Sequence, residues 1–180
     1  MVALRSLFTT ANTLATLLLG VCNPRGERNT YNGLYFTQTE LKEIVDTRSL
    51  HGTPVKIEHA GAPVGKIVSA YLDNSEALNC VMHIPEDNYR AEILAGFVRD
   101  GVALDLSMGY TIDVRHTENK TGYIAGKKNT VEVSIVRKGA RDGCHIVAYE
   151  TPQSQIHFPG NHASHVRARN SWREFGLNFK

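Results

Sequence analysis

Cysteine is scarce in this chain, and what there is does not organise a site. Cys22, Cys80 and Cys144 are odd in number and widely spaced, with no CxxC and no Cys/His metal spacing. That pattern excludes a disulfide-framed secreted scaffold and a structural zinc site, and leads us to expect reduced, buried thiols and an intracellular setting. No apolar stretch approaches the length of a membrane-spanning helix. The run at residues 14–21 imitates a signal peptide, but Thr16 interrupts it and Cys22-Asn23-Pro24 follows it, so residues 15–22 are expected as a buried strand. Charge of one sign is missing too. Lys and Arg number 20 against 18 Asp and Glu, a balance that says little about partners, and the small basic surplus sits mostly at the C-terminus, in Arg167, Arg169, Arg173 and Lys180. There is no GxSxG elbow, no Gly-rich phosphate loop, no HExxH and no EF-hand loop, so no cofactor and no metal are expected.

What is present is a chain of 180 residues, 42% of them hydrophobic, enough for one packed core. Its apolar residues fall in short runs separated by turn signals. Leu34, Tyr35 and Phe36 suggest a brief strand. Thr37 or Thr39 can cap a helix that carries Leu41, Ile44 and Val45 on one side. Residues 55–59 alternate as a strand, with Val55, Ile57 and His59 expected on one face and Lys56 and Glu58 on the other. Gly61 and Pro63 suggest a turn, after which residues 64–72 and 77–84 pair as a hairpin. A second helix is expected over residues 85–101, then strands at 102–112, 130–136 and 144–150, with a polar loop at 116–129. The sum is a mainly β domain over residues 1–158, a mostly antiparallel barrel with flanking helices, followed by a basic tail at 159–180.

Four features could carry chemistry. His59 ends an alternating strand next to Ala60-Gly61. Ser107 shares a strand face with Asp105, and Gly109 two residues on leaves room above it. Glu132 interrupts the β-branched run 130–136, which requires either a partner or an edge strand facing water. Gly139 and Gly143 frame a loop whose backbone N–H groups, with Arg141, suit an oxyanion. Each has an ordinary structural explanation when taken singly.

Taken together and in order, the segments 54–59 with 64–67, 104–110, and 132–136 with 139–143 resemble the herpesvirus maturational protease (assemblin) and the prohead proteases of tailed bacteriophages. The resemblance implies a serine endopeptidase on a closed β-barrel of its own type. Ser107 would be the nucleophile, His59 the general base and Glu132 the residue that orients it. Ala140 and Arg141 would stabilise the oxyanion. The herpesvirus enzymes use a second histidine where this chain has Glu132, a departure toward the phage-like pattern. Asp105 and His116 are the rival third members. The resemblance further implies a scaffold or capsid-precursor substrate at an assembling capsid inside the host cell, and a homodimer that orders the oxyanion loop. Ala163-Ser164 in the tail offers a self-cleavage site.

Two other readings compete. A non-catalytic barrel serving as an assembly or scaffold factor would treat Glu132 as decay of the site. A nucleic-acid binder would rely on the basic tail, where only Trp172 and Phe175 could stack, so nucleic acid and membrane are both disfavoured as partners.

Overall fold

A computed structural model describes residues 15–25, 35–85, 94, 102–112, 115–117, 123–125, 127–150 and 156–157. The strands are β1 (Ala15–Asn23), β2 (Pro54–Ile57), β3 (Ala60–Leu72), β4 (Leu78–Pro85), β5 (Asp105–Ile112), β6 (Arg115–Thr117), β7 (Tyr123–Ala125), β8 (Lys128–Val136), β9 (Ile146–Glu150) and β10 (Ile156–His157). The helix α1 spans Gln38–Asp46. Thr37 rather than Thr39 caps it, in a reciprocal capping box with Glu40 that satisfies two otherwise orphan N–H groups.

The strands form one mixed sheet in the order β10-β9-β1-β4-β3-β2-β8-β5, with β6 and β7 as a separate two-stranded ribbon. All pairs are antiparallel except β2 with β8, which run parallel. The expected closed barrel is not what forms. The sheet curls through 193° as an open half-barrel. Among the described residues, the end strand β5 pairs with the other side of the sheet only at the isolated bridge Asp105–His145, just before β9, where Leu106 N–H donates to Cys144 C=O and Ile146 N–H donates to Leu104 C=O, both at 3.0 Å. That contact has nowhere to grow. On one side it runs into the turn at residues 141–143, and on the other β10 occupies the edge of β9.

The core lies inside the curl. Leu18, Phe36, Leu41, Val55, Ile67, Met82, Leu106, Val133 and Ile135 belong to one buried cluster. Strand β1 is buried on both faces, because Leu17 and Leu19 join Val81, Val147 and Ala148 in a second cluster behind the sheet. A strand covered on both sides reads as a continuous apolar run, which is why this one imitates a signal peptide.

Several local expectations change. Residues 35–37 are coil, although Phe36 is buried as a strand residue would be. Strand β3 begins at Ala60, so the turn falls at Glu58-His59 and not at Gly61-Pro63. The polar loop contains β6 and β7. The second helix and the tail lie outside the described residues, except that Leu94 is helical and buried. Ala163, Ser164, Trp172 and Phe175 are likewise outside them. Cys22 and Cys80 are joined as a disulfide across β1 and β4, which overturns the expectation of three reduced thiols. Their partnership spans 58 residues of sequence and carries no local signal. Cys144 alone is free and buried, and burial pushes its thiol up to about 12, far from a nucleophile's range.

Candidate active site

The site is built on the face of the sheet turned away from the core. Strand β8 lies between β2 and β5, and register fixes what can meet. Lys56 is opposite Ser134, Ser107 is opposite Ser134 from the other side, and Gly109 is opposite Glu132. Since Val55, Val133 and Leu106 point into the core, their neighbours Lys56, Ser134, Glu132 and Ser107 share the outer face. A bulge between Gly109 and Tyr110 leaves Val131 half exposed and keeps Glu132 in this row.

Alternation would send His59 to the core side with Val55 and Ile57. It does not, because β2 stops at Ile57. Ile57 pairs with Ala60 across a two-residue turn in which Glu58 and His59 have φ of 50° and 57°. Two successive left-handed residues make the tight hairpin turn that usually calls for Asn-Gly. In non-glycine residues this costs about 1–3 kcal/mol each. The turn is tied to β8: Glu58 N–H donates to Ile135 C=O at 3.0 Å, and Glu58 Oε1 accepts from Arg137 N–H at 3.0 Å. The reversal carries the imidazole across to the Lys56 side.

There His59 Nδ1 lies 2.5 Å from Glu132 Oε1. Ser134 Oγ, wholly buried, donates to the same oxygen at 3.1 Å, and Lys56 Nζ lies 3.0 Å from Oε2. Only 9% of the Glu132 side chain is exposed, whereas the His59 side chain is 46% exposed. Burial by itself would raise the Glu132 carboxyl. The hydrogen bonds from His59, Lys56 and Ser134 and the Lys56 charge outweigh it and hold the carboxyl below the usual glutamate value. A carboxylate that binds Nδ1 directs the ring's other nitrogen outward, the arrangement a general base requires.

Ser107 sits on the adjacent strand on this same face, half-buried, and its hydroxyl makes no hydrogen bond among the described residues. Asp105 shares that face, but its Oδ2 accepts the Gly139 N–H at 2.7 Å and so braces the glycine-framed loop. His116 belongs to β6, in the separate ribbon. The Arg141 guanidinium is not on the outer face. It is buried and stacked 5.3 Å from the Phe36 ring centroid, on the core side with Tyr110, its Nε without a partner. Burial lowers its pKa. The backbone N–H groups of Ala140 and Arg141, in contrast, are not taken up by any hydrogen bond among the described residues.

Lys56 and Ser134 belong to this cluster and have no motif to announce them. Lys56 is one place before Ile57 on an ordinary alternating strand. Only the parallel pairing of β2 with β8 brings it to Glu132.

Compared with solved structures, the chain superimposes on KSHV protease in complex with a hexapeptide phosphonate inhibitor. The TM-score is 0.50 at 16% sequence identity, over 75% of this chain and 64% of that one. The two share a fold at a distance. The chain thus spans somewhat less than two thirds of the protease's length. No family model matches the sequence, and no curated protein matches it.

Proposed function

We propose that this protein is a serine endopeptidase in which Ser107 attacks the scissile carbonyl, His59 takes its proton and Glu132 fixes the imidazole. The observation that carries the reading is the 2.5 Å contact from His59 Nδ1 to a buried carboxylate on the face that also bears Ser107. A carboxylate on Nδ1 selects the tautomer whose other nitrogen can accept a proton, then stabilises the imidazolium that results. The proton returns to the leaving amine, and the acyl group stays on Ser107 until water releases it. Oxyanion stabilisation is assigned to the N–H groups of Ala140 and Arg141, which make no hydrogen bond among the described residues. The Arg141 side chain serves from the core side, as the post on which the loop rests. The fold shared with KSHV protease supports the chemistry. A scaffold or capsid precursor as substrate, a homodimer as the working form and an intracellular setting rest on the sequence resemblance.

The test is covalent trapping. A peptide phosphonate or fluorophosphonate should add to the peptide containing Ser107, located by mass spectrometry, and should fail to add in Ser107→Ala. A folded wild-type chain that resists the reagent would favour the non-catalytic assembly factor instead.

Gly109 supplies a second check. A Cβ there would fall 2.7 Å from Glu132 Cγ and 3.0 Å from its Oε1. The neighbouring carboxylate has to move, and a displacement of this size in a supporting group costs about 100-fold in rate. Gly109→Ala should therefore slow phosphonate addition to that extent while thermal unfolding stays cooperative. An unchanged rate would separate Glu132 from the chemistry.

A further inference from the structure

We infer that Lys56 is a positioning residue: by pairing with Oε2 it holds the Glu132 carboxylate turned so that Oε1 serves His59. The consequence for catalysis rests on the protease reading, but the geometry does not.

A carboxylate has two equivalent oxygens and can offer either one. Here they are differentiated. Oε1 receives His59 Nδ1 and Ser134 Oγ, and Oε2 is left to Lys56 Nζ at 3.0 Å. With both oxygens engaged from different strands, the group cannot swivel about its last bond without losing a charged contact. The Lys56 side chain is 30% exposed, so its cation is partly withdrawn from water beside an acid that is almost wholly withdrawn. That charge also makes the carboxylate a poorer proton acceptor. The proton that His59 takes up therefore stays on the imidazole and does not pass to the acid.

The other charged groups facing this cluster are occupied elsewhere. Glu58, in the same turn, accepts from Arg137. Asp105 on β5 binds Gly139 N–H. Lys66 on β3 and His83 on β4 are in register with each other, two and three strands away from β8, and burial, followed by the nearby Lys66 charge, lowers the His83 pKa. Among the described residues Lys56 is the lysine in contact with Glu132, and Lys128, in the same strand as Glu132, is committed to Glu40 at 2.7 Å.

The test uses the full chain with Lys56→Met, which keeps the stem and removes the charge, and Lys56→Arg, which keeps the charge. Carboxyl carbon NMR should show the Glu132 titration midpoint rising by about one to two pH units in Lys56→Met and returning toward wild type in Lys56→Arg. A midpoint unmoved in Lys56→Met overturns the inference whatever the chain hydrolyses. With a cleavable peptide, Lys56→Met should lower kcat about tenfold at constant KM. The acid limb of its pH–rate profile should move to higher pH, because the cation that Lys56 brings to the cluster is gone. Lys56→Arg should restore the limb. A loss of kcat without movement of the limb would reduce Lys56 to a structural residue and overturn the inference. If the midpoint moves as expected but Ser107 is never labelled, the role of Lys56 toward Glu132 stands and the protease reading falls.

Discussion

Ser107→Ala is expected to lower peptide cleavage by about 10,000-fold or more while leaving the melting temperature almost unchanged. The two halves of that result come from different observations. The hydroxyl has no hydrogen-bond partner among the described residues and lies on the outer face of β5, so its removal orphans nothing. Substitutions of that kind change stability by about 0.5 kcal/mol or less. Ser134, its neighbour across the strand pair, behaves oppositely. It is wholly buried and bound to Glu132. Its loss should cost about 1 kcal/mol, with a smaller effect on rate than Ser107. Turnover and thermal melts on both variants check the contrast. If Ser134→Ala proves the more damaging to turnover, the nucleophile has been assigned to the wrong strand.

Glu132→Gln is expected to produce the next largest loss, about 10,000-fold in kcat, because an amide can present its N–H to Nδ1 and select the wrong tautomer. Lys56 also loses its counter-charge. Since its side chain is 30% exposed it can turn toward water, and the stability cost should be about 1–2 kcal/mol, below that of a fully buried pair. The pH dependence has a definite sign. The carboxyl of Glu132 lies below its ordinary value of 4.5 in the folded chain. Its contacts thus stabilise the fold above that value, and the contribution is lost as pH falls through the lowered one. In Glu132→Gln that part of the acid sensitivity should vanish, so the wild-type and variant stability curves should converge below pH 4.5 and separate above it. Parallel curves across the acid range would mean that Glu132 is not the ionised member of this cluster.

His59, Ser107 and Glu132 stand out in the sequence as candidates, whereas Lys56, Ser134 and the arrangement of the cluster do not. The apolar alternation of 55–57 and of 133–135 marks strands because one face of each packs on the core. Glu132 stands out in its run because a carboxylate there needs a partner, and the structure supplies three. The side of the sheet on which His59 lies could not be read, since alternation holds only while the backbone stays extended, and two non-glycine residues reverse it. The contribution of Lys56 depends on a parallel pairing between segments more than seventy residues apart. Closure of the barrel depends on whether distant edges find partners, and β10 takes an edge that closure would need. The pairing of Cys22 with Cys80 is similarly a matter of register between β1 and β4.

The left-handed turn at Glu58 and His59 has an implication for variation. If folding alone governed this hairpin, Glu58→Asn with His59→Gly would be the favoured pair, relieving strain at both positions. Libraries screened only for heat resistance should drift toward that pair, and libraries screened for turnover should reject it. The turn is therefore a place where the demands of durability and of use pull a single dipeptide in opposite directions, and a count of surviving variants would measure each pull separately.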